Sequence, residues 1–197
     1  MENIYISCIH TWHSSAENPK EKPQLDFADP LFKRRLSQIT RMTIQVVHDL
    51  LESEPAAKEY KQVFVSFRGE IARQFSMNKS LAESFEVLPA SFSLSVFNTP
   101  IASASLCLGL KAGYSVIYPS KNNFNSAFLA SVSSVLSGSD EKILFVYADE
   151  YIPDEYGARL QNGNNPMALS CIISKSETGT KVNPHSIQSP SDLIKCK

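Results

Sequence analysis

The chain has 197 residues, of which 43% are hydrophobic and 20% charged, and a formal net charge of -1. That length and balance suit one domain with an adequate core and exclude a disordered chain. Without a basic surplus to neutralise phosphates, a nucleic-acid binder is excluded as well. Four widely spaced cysteines, Cys8, Cys107, Cys171 and Cys196, form no C-x-x-C pair. Three of them lie in apolar runs, so they read as small core residues in a reducing compartment, with no disulfide framework and no zinc site. The start, MENIYISCIHTWH, does not read as a signal peptide. No apolar run approaches the ~20 residues of a membrane span. The expected location is the cytoplasm, with no membrane association.

Along the chain, Asn3–Ile9 is a β-branched and aromatic run that predicts a first strand. Thr11–Asp29 is polar and carries Pro19 and Pro23, so a loop is expected there, with His10 and His13 flanking Trp12 near its start. Asp29-Pro30 offers an N-cap oxygen and a pre-set φ for a helix. Phe32, Leu36, Ile39, Thr43, Val46, Val47 and Leu50 then recur at three and four, one stripe of a long amphipathic helix ending before Pro55. Lys33-Arg34-Arg35 and Arg41 read as its solvated face, with a docking patch for an acidic partner as the alternative.

Gln62–Phe67 predicts a second strand, and a helix follows Arg68-Gly69-Glu70 to about Leu81. Leu88–Phe97 alternates aromatics with serine and reads as a loop. Thr99–Leu110 is a helix rich in small residues, Tyr114–Tyr118 a strand, Asn122–Leu136 a helix, Lys142–Ala148 a doubly buried strand, and Ala168–Ser174 a last strand. Alternation of this kind predicts a layered α/β domain over residues 1–174, with a mixed, mostly parallel five-stranded sheet and helices on both faces. Residues 175–197 are expected to form an irregular tail.

The chemistry-bearing residues are sparse. His10, His13, His48 and His185 show no i, i+4 pair of the metal-binding kind. No glycine-rich phosphate loop occurs, so neither a metal nor a cofactor is expected. Cys107 sits late in an apolar helix, away from any N-terminus that would lower its pKa, and core packing is the plainer reading. Asp149-Glu150, with Asp154-Glu155 nearby, follows a buried strand. That is the usual edge of a ligand site in a parallel sheet, although a solvated strand exit is the simpler interpretation.

SFRGEI, then LPASFSLSVFN (Leu88–Asn98), GLKAGYSVIYPSKNNFNSA and ILFVYADE together resemble the N-terminal half of a β-ketoacyl synthase of the thiolase superfamily. In that family an S-P-x8-N block leads into a helix, and a G-L-x-G-P strand ends in T-A-C-S-S. The cysteine there attacks an acyl thioester at the head of a buried helix. Laid on this chain without gaps, Asn98 matches the asparagine and Gly109-Leu110-Lys111 opens the strand. Lys121 then stands in the cysteine's place, or Ser120 if the turn slips by one. PLFKRRLSQITRM is similar to the R-R-x-S helix of short synthase-like proteins found with aryl polyene and type II fatty-acid-like pathways.

The resemblance implies a truncated synthase-like chain that lacks the nucleophile and the half bearing the catalytic histidines. Condensation should then be impossible, because nucleophile and base act as a unit. The implied role is a chain-length-factor-like subunit. It would pair edge to edge with a full-length β-ketoacyl synthase through Tyr114–Tyr118, and with an acyl carrier protein indirectly. The interface and acyl-tunnel residues it implies are Ser91, Phe92, Phe97, Asn98, Tyr114, Val116 and Tyr118, with local core filling the alternative for Phe92 and Phe97. The rival reading is an independent thiolase-like or thioester-hydrolysing enzyme using Ser120 or Cys107. On the helix after the turn, Ser126, Ala130, Ser133 and Ser137 form a semi-polar strip fit to face water or a loop.

Overall fold

The computed structural model describes residues 3–157 and 165–197. One sheet organises them, in the strand order β3-β2-β4-β5-β1-β6, where β1 is Ile4–His13, β2 Lys61–Val65, β3 Tyr114–Ile117, β4 Lys142–Asp149, β5 Met167–Ser174 and β6 Thr180–Val182. β3, β2 and β4 are mutually parallel. β5 runs against β4, β1 against β5, and β6 against β1, so four of the six strands point one way. The sheet is mixed as expected, with one strand more than the sequence suggests.

That extra strand is β6, inside the segment expected to be an irregular tail. Residues 175–197 instead add β6 to the edge of β1, then a turn at Pro184–Ser186 and the short helix α7, Pro190–Ile194. Ile187 and Leu193 from this segment are buried beside Phe124 and Phe128. The turn into β6 passes so close to β1 that a Cβ at Gly179 would meet the Ile6 carbonyl at 2.2 Å. Polar composition concealed a segment held by backbone pairing and two apolar anchors.

β1 also outruns its prediction. It continues to His13, paired with β5 as far as His13↔Met167, with a bulge between Ser7 and His10 where Cys8 takes φ 51°. His10, Trp12 and His13 therefore stand on a strand, where a loop was expected.

The long amphipathic helix is in fact two. Asp29 caps α1, Pro30–Lys33, its carboxylate accepting from the Leu31 and Phe32 amides. The chain then breaks, and Ser37 caps α2, Gln38–Ser53, accepting from the Thr40 amide at 3.1 Å. The stripe residues beyond the break still serve one face, and ten of the sixteen residues of α2 are buried. Each fully buried aliphatic side chain there contributes about 1.5–3 kcal/mol. α2 and α5, Thr99–Leu108, cover one side of the sheet. Its other side is covered by α6, Phe124–Ser137, together with the C-terminal segment. The strip Ser126, Ala130, Ser133 and Ser137 is exposed along α6, as its composition anticipates.

The remaining two helices are the least covered. α3, Ile71–Ser84, contains no buried residue, and neither does α4, Pro89–Ser93, which occupies part of the expected 88–97 loop.

Candidate functional site: a sheet edge, its turn and a projecting hairpin

β3 ends the sheet, with β2 as its neighbour on one side. Glycine at 113, with φ 84°, and Pro119 bound it, so the strand is short. Beyond it, the 3-10 turn Ser120–Asn122 places Lys121 in the left-handed region, φ 52° and ψ 34°. Asn123 then opens α6, its side chain accepting from the Ser126 amide at 3.1 Å. A non-glycine residue held in this region carries backbone strain, a feature that clusters at functional turns. Lys121 is exposed there.

The turn lacks the partners of a nucleophile. His10 and His13 lie on β1, four strand positions from β3, or about 19 Å at ordinary strand spacing. His10 is turned to Ser53, with Nε2 3.0 Å from its hydroxyl, and burial lowers its pKa. Ser120 is exposed, and among the described residues its hydroxyl bonds to no basic side chain. Cys107 is half-buried in the last turn of α5, where burial pushes its thiol up. That disfavours the thiolate.

Several residues singled out in the sequence do meet. The Asn98 side chain donates to the Tyr114 hydroxyl at 3.0 Å, tying the 88–98 block to the sheet edge. The Phe97 ring meets Tyr118 edge-on, 5.6 Å between centroids, and packs over Gly69. Glycine is required at 69: its φ is 57°, and an added Cβ would lie 2.7 Å from Phe97 Cδ2. Phe97 thus fills local space, whereas Phe92 on α4 is 59% exposed. Ser91 is half-buried beside it. Val116 packs inward against the α2–α5 core. Tyr114 and Tyr118 remain exposed.

The structure adds apolar residues the sequence reading passed over. Leu81, Leu88 and Val96 are exposed, and Phe85, in the left-handed cap of α3, is 87% exposed. With Phe92, Tyr114 and Tyr118 they give the hairpin and sheet edge an extended apolar surface, the kind that marks protein–protein contact. Within α3, Ile71, Phe75 and Met77 are half-buried, and only its C-terminal end, Leu81 and the cap residue Phe85, carries large apolar side chains to solvent.

Behind this surface lie buried carboxylates, not a solvated strand exit. Asp149 accepts from the Ser66 and Tyr147 hydroxyls, both at 2.8 Å, and from the Phe67 and Arg68 amides, holding the turn that leads to Gly69. Burial raises its pKa. Glu150, 1% exposed, accepts from the Ala72 amide at 3.0 Å and the Ile39 amide at 3.3 Å, clamping the starts of α3 and α2 together. Burial first, then Glu70, pushes its pKa up to about 8 against the opposing pull of those amides. Glu70 accepts from Ser37 at 2.6 Å and Thr40 at 2.5 Å and pairs with Arg73 at 3.2 Å.

A cleft of about 650 Å³ beside α3 is lined by the basic Lys22, Arg34, Arg35 and Arg73 and by the apolar Met77, Leu88 and Leu94. Arg34 and Arg35 belong to the break between α1 and α2, not to a helix face. Among the described residues no group of three His, Cys, Asp or Glu side chains is placed to hold a metal ion. No helix among them is long and apolar enough to cross a membrane.

A parallel edge strand leading through a strained turn into a covered helix, within a mixed sheet layered by helices, defines a thiolase-like fold of the ketosynthase type. Among solved structures, one chain of a complex of the ketosynthase ApeO with its chain length factor ApeC from Xenorhabdus doucetiae superposes with a TM-score of 0.71 at 18% identity. The match covers 98% of this chain and 90% of that one. The ishigamide ketosynthase/chain length factor gives 0.62 at 11% identity, covering 76% of this chain and 46% of that one. The oxazolomycin ketosynthase domain OzmH KS7 from Streptomyces albus JA3453 gives 0.59 at 11%, covering 87% and 43%. No curated protein matches by sequence. The profile of the β-ketoacyl synthase N-terminal domain matches residues 9–193, and the chain belongs to that family.

Proposed function

We propose that this chain is a non-catalytic, chain-length-factor-like subunit. It pairs with a full-length β-ketoacyl synthase, which supplies the nucleophilic cysteine and the histidines. It stabilises that synthase and shapes its acyl tunnel while carrier-protein-bound fatty or polyene chains are extended. The observation that carries this reading is Lys121, held at φ 52° in the turn before α6, which the sequence resemblance aligns with the family's nucleophilic cysteine. An exposed ammonium in that turn, with His10 and His13 four strands away, offers no route to an acyl-enzyme.

The unpaired β3 edge and the exposed Tyr114, Tyr118 and Phe92 support a partner, because an open apolar edge left alone favours aggregation. Edge-to-edge pairing leaves the exposed Phe92 available to the partner, while Phe97 packs between Gly69 and Tyr118. The likeness to a structure that holds a ketosynthase together with its chain length factor supports a ketosynthase as that partner.

Co-expression with a candidate synthase tests it. The two chains are expected to co-purify, with malonyl-dependent elongation present in the complex and absent from this chain alone. Phe92→Ala should leave the complex intact and shift the length of the products. A monomer that never binds the synthase, or a covalent acyl group on the isolated chain, would overturn the proposal.

A further inference from the structure

We propose that Lys111 and Lys121, at the two ends of the β3 edge, steer this surface away from a second copy of the chain. They direct it toward a polypeptide whose own edge strand is flanked by carboxylates. The inference rests on the edge-pairing reading above and names what selects the partner.

From Val87 to Ser139 the sequence contains no Asp, Glu, Arg or His, and Lys111 and Lys121 are its charged residues. One lies just before Tyr114–Ile117 and the other just after it, and both side chains are exposed. Neither forms a salt bridge among the described residues. The other exposed side chains there are uncharged: Tyr114, Tyr118 and Phe92 give adhesion and little discrimination, as do Ser93, Ser120 and Asn123. Discrimination falls to the two charges.

Two copies of one edge related by a two-fold axis must pair antiparallel. Tyr114 of each copy then turns toward Ile117 of the other. Lys111 of each copy comes beside Lys121 of the other, within roughly 10 Å by strand spacing. The contact occurs twice, and both contacts are repulsive. Carboxylates do stand nearby at one end: Glu59, Asp140 and Glu141 gather around Ala112 with Lys61 and Lys142. They precede β2 and β4, one and two strand positions behind the edge, so the lysines form the front rank. At the Lys121 end the flanking residues are Pro119, Ser120, Asn122 and Asn123, all uncharged. A partner with an acidic residue at each end of its edge converts both repulsions into attractions.

The test compares the wild-type chain with Lys111→Glu/Lys121→Glu and Lys111→Gln/Lys121→Gln, each checked for folding by circular dichroism. Association is followed by analytical ultracentrifugation. Wild type and the Glu variant should each self-associate weakly. Their mixture should associate about tenfold more tightly, with the gain fading in ~0.5 M salt. The Gln variant should self-associate more tightly than wild type. Against the candidate synthase, the Glu variant should bind about tenfold more weakly than wild type. Wild type pairing with itself as tightly as the mixture, or no gain on mixing, overturns the inference. The mixing arm contains no synthase, so a gain there without synthase binding would sink the subunit proposal while leaving the charge rule standing.

Discussion

Replacing Glu150 by glutamine tests the buried clamp most directly. In the unfolded chain this carboxyl titrates near 4.5, whereas in the folded protein burial and Glu70 hold it to about 8. Between those values the folded state binds an extra proton, so its stability falls as pH rises, by about 1.4 kcal/mol per pH unit. From pH 5 to 7.5 this amounts to a loss of about 3 kcal/mol attributable to Glu150. Asp149, also raised by burial, acts in the same direction from a lower starting value of 3.8. His10 opposes them. Burial lowers its pKa from 6.5, so the unfolded state binds more protons there and stability rises with pH through that region. It is partly exposed, and the net slope should remain downward. Glutamine keeps one oxygen acceptor for two amides, Ala72 at 3.0 Å and Ile39 at 3.3 Å, and leaving one unpaired costs about 1–3 kcal/mol. Glu150→Gln should therefore be less stable than wild type at pH 5, and the gap should close or reverse by pH 7.5. Urea titrations at several pH values, followed by far-ultraviolet circular dichroism, measure both. Wild-type stability that is flat or rising over this range, or a variant with the wild-type slope, would refute the reasoning.

Gly69→Ala should lower stability by about 2–3 kcal/mol, because the new Cβ meets Phe97 at 2.7 Å and φ is 57°. A loss below about 0.5 kcal/mol in thermal denaturation would mean that Phe97 moves away freely. Lys121→Gly, at φ 52°, should stabilise the isolated chain by up to about 1 kcal/mol, visible as a higher melting temperature. A clear fall in melting temperature would show that the turn is not strained. Asn125 donates to the carbonyls of Pro184 at 3.2 Å and Ile187 at 2.8 Å. Asn125→Ala should cost about 1–2 kcal/mol and quicken amide exchange in residues 184–194. Unchanged exchange there would place the anchorage with Ile187 and Leu193 alone.

Much of the architecture was legible before any coordinates. Alternating strands and helices, the Asp29 cap and the doubly apolar strand expected over Lys142–Ala148 reflect local chemistry, and local chemistry survives folding. The errors have a common form. The break before Ser37 is hidden because the apolar period runs through it; at the break Ser37 caps α2 and its hydroxyl also donates across to Glu70. The strand at Thr180–Val182 was read as irregular because its fixing interaction, backbone pairing with Ile4–Ile6, lies far away in the chain. Asp149-Glu150 looked like a solvated exit because two acids in a row are usually wet. Their amide donors come from other elements, which no spacing along the sequence discloses.

The candidate site divides in the same way. A lysine at 121, which the resemblance aligns with the family's cysteine, and a stretch from Val87 to Ser139 whose charges are two lysines are properties of residue order, and the sequence by itself determined them. That Tyr114–Ile117 ends the sheet, that Phe97 packs on Gly69 and Tyr118 while Phe92 is exposed, and that Leu81 and Phe85 at the end of α3 reach solvent were decided by tertiary structure alone. Edge and exterior are properties of what packs against a segment, and a segment's own side chains describe its needs without saying which neighbours meet them.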